Sequence, residues 1–172
     1  MAIRDIIIAP DPVLRQKAAP VAAVDDRVRQ LMDDMLETMY AAPGIGLAAP
    51  QVGVLDRVIV VDCAAKDEEP QPLRMANPEV VWTSEKTFTF DEGCLSLPEH
   101  YAEVTRPGEA RIRYLDETGA ERELHARDLQ AICIQHEIDH LEGVLFVDYL
   151  STLKRSIILR KLTKLKKANK AA

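Results

Sequence analysis

Apolar residues at Val28, Leu31, Met32, Met35, Leu36 and Met39 recur at the spacing of a single helix face. Asp25 precedes them as a natural N-cap, and Pro and Gly break the pattern beyond it, so a helix is expected from Asp25 to about Ala41–Gly44. The Met-rich stripe is read as core. Next comes "GIGLAAPQVG" at 44–53, too rich in Gly and Pro for a regular element and too apolar for an ordinary exposed loop. "RVIVVD" at 57–62 reads as a buried strand, followed by the polar loop "AAKDEEPQP". β-Branched and aromatic segments from Leu73 to Arg113 predict several antiparallel strands, and "DETGAERELHA" at 116–126 supplies a hairpin turn at Thr118–Gly119 leading into another. Asp128 is expected to cap a helix running through His140 and stopped by Gly143, and a last helix is expected over about 151–168. Antiparallel strands around a central helix, with one helix near each terminus, make the expected class α+β.

The bulk numbers narrow the setting. With 172 residues, 47% hydrophobic and 29% charged, the chain suits one soluble globular domain. No apolar run approaches the roughly 18 residues of a membrane span, and the start lacks the apolar core of a secretory signal, so a cytoplasmic monomer is expected. Cys63, Cys94 and Cys133 are too widely spaced for a C-x-x-C motif, and their odd number argues against a disulfide framework. The net charge of -6 is unevenly spread: positions 151–172 hold 8 of the 22 basic residues and no acid, leaving 14 basic against 28 acidic residues in 1–150. We therefore expect a single catalytic unit over 1–150 and a basic C-terminal helix over 151–172 of the same domain.

"CIQHEIDHLEG" carries the chemistry. On a helix, His136 and His140 lie one above the other and can hold one cation, with Glu137 beside them to move protons. Apolar neighbours at Leu129, Ile132, Cys133, Ile134, Ile138 and Leu141 place this helix centrally, where two histidines need partners. A third ligand is missing. No Glu follows Glu142, and the position that a longer H-E-x-x-H-x-x-G-x-x-H motif would fill with His is Phe146. Asp148 reads as a loop or cap residue, which leaves Cys94, His100, His125 or a carboxylate upstream. Cys94, in "DEGCLSLPE" with Gly93 permitting a tight backbone and Pro98 ending the element, is preferred. One thiolate with two imidazoles leaves a fourth position open, as catalytic sites do.

"GIGLAAPQ" (44–51), "EGCLS" (92–96) and "QHEIDH" (135–140) together resemble the three signature motifs of the peptide deformylase family. The resemblance implies hydrolysis of the formyl group from the N-terminal formyl-methionine of new polypeptides, with release of formate. It implies Cys94, His136 and His140 as ligands of one divalent metal per chain: Fe2+ in the cell, with Zn2+, Ni2+ or Co2+ in purified protein. Glu137 is the implied acid/base, and the Gln51 amide and the Leu95 N–H the implied donors to the developing oxyanion. Ile45 and Gly46 would offer main-chain groups to a strand-like peptide, Gly46 also letting it come close. Leu129, Ile132 and Cys133 match pocket positions for the methionine, and Glu92 would support the site. Several members carry an Arg where this chain has His100–Tyr101.

The resemblance also implies ribosome docking through the C-terminal helix, here through Lys161, Lys164, Lys166 and Lys167. Ile157, Ile158, Leu162 and Leu165 could instead pack that helix on the body. Two rival readings are another H-E-x-x-H metallopeptidase and a ribosome-associated binding protein with a vestigial site.

Overall fold

The computed structural model describes residues 2–171, so Met1 and Ala172, the outer limits of the two expected ranges, lie outside the described residues. The first helix, α1, spans Asp26–Ala41, and Asp25 caps it by accepting from the Val28 N–H at 3.0 Å. Three strands follow: β1 (Gly46–Ala48), β2 (Val58–Val61) and β3 (Leu73–Thr83). A two-stranded ribbon of β4 (Thr87–Cys94) and β5 (Leu97–Pro107) precedes β6 (Glu109–Leu115) and β7 (Glu121–Arg127). The central helix α2 covers Asp128–Leu141, and α3 covers Thr152–Ala171. The larger sheet is antiparallel with the order β1-β2-β3-β6-β7.

Strand β2 explains how the layers stack. Val58 and Val60 pack with Leu31, Met35 and Met39 of α1, whereas Ile59 and Val61 pack with Ala131, Cys133 and Ile134 of α2. Alternation across the pleat thus gives each helix one sheet face, and burial on both faces explains the unbroken apolar run "VIVV". Each such side chain contributes about 1.5–3 kcal/mol when fully buried. A third cluster joins Leu14, Leu97, Val104, Phe146 and Leu162, tying the ribbon and α3 to the segment after α2.

Several expectations need correction. "GIGLAAPQVG" is not wholly irregular: Gly46–Ala48 is a strand paired with β2, and Ala49–Val52 form a 3-10 turn. Tertiary pairing there overrides the low strand propensity of Gly and Ala. Asp128 is not the cap of α2 but its first residue, at φ 51, with Arg127 in the cap position. The Asp128 N–H instead donates to the Gly108 carbonyl at 3.0 Å, so the strand-to-helix corner is closed by backbone. Pro98 does not end its element; it lies near the start of β5. The last helix runs to Ala171, beyond 168. Of its apolar residues, Ile158 and Leu162 join the core, while Ile157 and Leu165 are exposed.

Candidate metal centre

Three elements converge on one point. The i, i+4 spacing on α2 puts the His136 and His140 rings 5.1 Å apart between centroids, both buried. Cys94, the last residue of β4, brings its Sγ to 3.3 Å from His140 Nε2. Donor atoms of Cys94, His136 and His140 all lie within 4.8 Å of one another. Ligands of a tetrahedral cation at about 2.0–2.3 Å stand roughly 3.3–3.8 Å apart, so the spacing fits one ion. The donor set fits too, since a thiolate with two imidazoles suits several borderline divalent metals. His125 instead pairs with Glu109 at 3.0 Å, and His100 lies on β5 outside the cluster. Asp148 accepts from the Leu145 N–H at 3.0 Å and from Arg15 at 2.6 Å, as a cap residue does.

A buried ion-pair chain orients the first histidine. Glu92 accepts from His136 Nδ1 at 2.9 Å, which leaves Nε2 for the cluster. Arg106 grips the same carboxylate with two bonds, of 2.7 and 3.0 Å, and reaches Asp139 at 2.7 Å. Tyr149 donates to Asp139 at 2.7 Å and lies under the Arg106 guanidinium. Burial pushes the Glu92 carboxyl up, but the bonds from His136 and Arg106 outweigh it and hold Glu92 below the usual range. Burial likewise pulls His136 down, yet Glu137, Cys94 and Glu92 together raise it well above normal. This cluster attracts positive charge. His140 is driven well below its ordinary value by burial, reinforced by His136 and Arg106.

Glu137 faces the same space. It is buried, and its Oε1 has no hydrogen-bond partner among the described residues. Burial raises its carboxyl to about 7, against the opposing charges of His136 and Arg106. Gln51 accepts from the Ala48 N–H at 2.9 Å, and its amide nitrogen donates to Ser96 at 3.0 Å and to Cys94 Sγ at 3.4 Å. The 3-10 turn thereby aims an amide donor at the centre.

A cavity of about 830 Å3 opens on these groups. Its lining includes Gln51, Glu92, Cys94, Leu95, His136 and Glu137, together with Ile45, Gly46, Leu129, Ile132 and Cys133. Part of the main chain beside Gly46 is already committed. The Ile45 carbonyl is taken by the Asp62 N–H at 2.8 Å and by the Cys133 thiol at 3.6 Å. Since alternate residues of a strand turn their N–H and C=O to opposite edges, Gly46, the first residue of β1, presents its main chain to that strand's open edge. The missing side chain of Gly46 also serves a different neighbour. A Cβ there would stand 2.5 Å from Glu137 Oε2 and 2.8 Å from Cys133 Sγ. Gly46→Ala is therefore expected to cost about 1–3 kcal/mol in urea unfolding. Unchanged stability would mean that Glu137 has room to withdraw.

Arg106, Asp139, Tyr149 and Ser96 were not singled out in the sequence. A buried Glu92 implies a cation nearby, but nothing local to Arg106 marks it as that cation.

The polypeptide deformylase family model matches residues 3–156. A peptide deformylase of Phenylobacterium zucineum is 57% identical over 98% of this chain and 99% of its own length. Among solved structures, a peptide deformylase from Ehrlichia chaffeensis has a TM-score of 0.93 at 37% identity, covering 98% of this chain and 99% of that one. A second structure from that organism, in complex with actinonin, has a TM-score of 0.92 at 39% identity, covering 95% and 98%.

Proposed function

The chain belongs to the polypeptide deformylase family, enzymes that remove the N-formyl group from newly made polypeptides, and we propose which of its residues carry each step. Cys94, His136 and His140 would hold one divalent cation. When bound, that cation supplies Lewis acidity, acidifying water and polarising a carbonyl. Glu137 takes the proton of the attacking water and returns it to the departing amine, so a formamide and water become a free amino terminus and formate. The Gln51 amide and the Leu95 N–H donate to the formyl oxygen as it gains charge. The peptide lies along the open edge of β1 beside Gly46, and its methionine enters the apolar part of the cavity at Leu129, Ile132 and Cys133. Glu92, held by Arg106, keeps His136 in the orientation that points Nε2 at the cation.

One observation carries this reading: Glu137, which lines the cavity, is a buried carboxylate with one oxygen unpartnered among the described residues, beside three converging donors. A structural carboxylate would be expected to have its partners nearby. Formate release from a formyl-methionyl peptide by metal-counted protein tests it.

Ferrous iron in the cell, with Zn2+, Ni2+ or Co2+ in purified protein, follows the family pattern; the donor set accepts all four. A cytoplasmic monomer agrees with the chain's composition, and no helix among the described residues is long and apolar enough to cross a membrane. Residues 1–150 are the catalytic unit, and 151–172 are its basic extension. Ribosome contact through α3 is supported by the exposure of Lys161, Lys164 and Lys167, while Lys166 pairs with Asp11 at 3.4 Å. Deleting 161–172 is a poor test, because Leu162 belongs to the core. Replacing Lys161, Lys164 and Lys167 with Glu should instead abolish ribosome co-sedimentation at low salt; undiminished sedimentation would sink this assignment.

A further inference from the structure

In the deformylase reading Cys94 holds the metal and Cys133 walls the methionine pocket, but Cys63 has no part. Cys63 follows β2, whose Ile59 and Val61 face α2. Side chains alternate along a strand, so the next position on that face is Cys63, while Asp62 turns the other way and accepts from the Tyr40 hydroxyl of α1. Cys63 thereby packs against Cys133 of α2, and the two thiols hydrogen-bond to each other. Residues far apart in the sequence form a dithiol pair beside the catalytic cleft.

The two sulfurs differ in setting. Cys133 is buried but lines the cavity, whereas Cys63 is partly exposed. A small oxidant therefore has access to the pair. The hydrogen bond from Cys133 favours the Cys63 thiolate and outweighs burial and the nearby charges of Asp62 and Glu137, so Cys63 ionises more readily than a free thiol. Cys133 Sγ also touches the substrate side. It lies 3.6 Å from the Ile45 carbonyl and 2.8 Å from where a Cβ on Gly46 would stand.

We infer that Cys63 and Cys133 form a redox-modification site, which a hydroperoxide converts to an intramolecular disulfide that reshapes the methionine pocket. The Cys63 thiolate attacks the peroxide oxygen, forming an S–O bond, breaking the O–O bond and releasing hydroxide. The Cys133 sulfur then attacks the resulting sulfenic acid. An S–S bond forms as the S–O bond breaks, and the Cys133 proton leaves with the departing hydroxide as water. Two thiols and one hydrogen peroxide thus give one disulfide and two waters. A bond of about 2.05 Å requires sulfurs already in contact to close on each other. Cys63 lies beyond Val61, the last paired residue of β2, so the ladder does not hold its backbone. Closure draws Cys133 Sγ away from Gly46 and Ile45. The bond stands on its own chemistry, while its effect on turnover rests on the deformylase reading.

The test treats the nickel-loaded enzyme with hydrogen peroxide, since nickel in place of ferrous iron keeps the metal from consuming the oxidant. The expected product is lighter by about 2 Da, the two hydrogens lost on forming one disulfide, and yields a cross-linked peptide joining Cys63 to Cys133. Its kcat/KM on a formyl-methionyl peptide should fall about tenfold, chiefly through KM, as for a pocket misfit by one methylene. A phosphine reductant should restore both mass and rate. Cys63→Ser and Cys63→Ala should each deformylate normally, form no such bond and keep their rate in peroxide. A bond through Cys94, a link between two chains, or oxidation without any disulfide would overturn the inference. An unchanged rate in the disulfide form, or an equal loss in the Cys63 variants, would overturn its effect on the pocket. No formate release before oxidation would remove the deformylase reading, and the cross-linked peptide would still decide the bond.

Discussion

Glu137→Gln is expected to lose formate release by at least about 10²–10⁴-fold while keeping its fold and its metal. The glutamine side chain has the same shape, which matters where Glu137 Oε2 leaves no room for a Cβ on Gly46. What changes is the ability to take a proton. The carboxylate, raised to about 7 by burial, is matched to accepting a proton from water and yielding it to an amine, and an amide does neither. Stability should not fall, since the replaced group is a buried acid with an unpartnered oxygen. Metal content measured beside turnover separates the outcomes. Retained turnover would place the proton transfer elsewhere, and lost metal would make Glu137 a support for the ligands.

The second large effect belongs to a residue that touches no substrate. Arg106→Met should destabilise the protein by about 3–5 kcal/mol, because it removes the cation from a buried pair and strands Glu92. Arg106 and Glu92 are both almost fully buried and joined at 2.7 Å. The same change frees the carboxylate that fixes His136 Nδ1, so metal affinity should drop about 10–100-fold. Urea unfolding and metal titration of one preparation read both numbers. A loss below about 1 kcal/mol with unchanged affinity would show that Glu92 finds another partner.

The chemistry was legible in the sequence wherever one element carried it. His136 and His140 sit one helical turn apart, so spacing alone placed them on a common face with Glu137 beside them, while α1 announced itself by period and cap and β2 by its unbroken apolar run. Long-range geometry was not legible. Arg106 reaches Glu92 across 14 residues and Asp139 across 33, and no local pattern encodes either contact. Strand β1 was hidden because its Gly and Ala owe their conformation to pairing with β2. Gly46 was read as space for substrate; that a Cβ there would also meet Glu137 is something only the fold decides. Asp128 resembled a cap by residue type, yet the Gly108 carbonyl claims its N–H and leaves Arg127 in the cap position.

All of these effects assume one catalytic cation on Cys94, His136 and His140, served by Glu137. Formate release from a short formyl-methionyl peptide, by protein purified without oxygen and with its metal counted, tests that most directly. The account predicts rapid release with about one metal per chain, lost together with the metal on chelation and restored with it. A full metal complement without formate, or formate released equally well by metal-free protein, would contradict it.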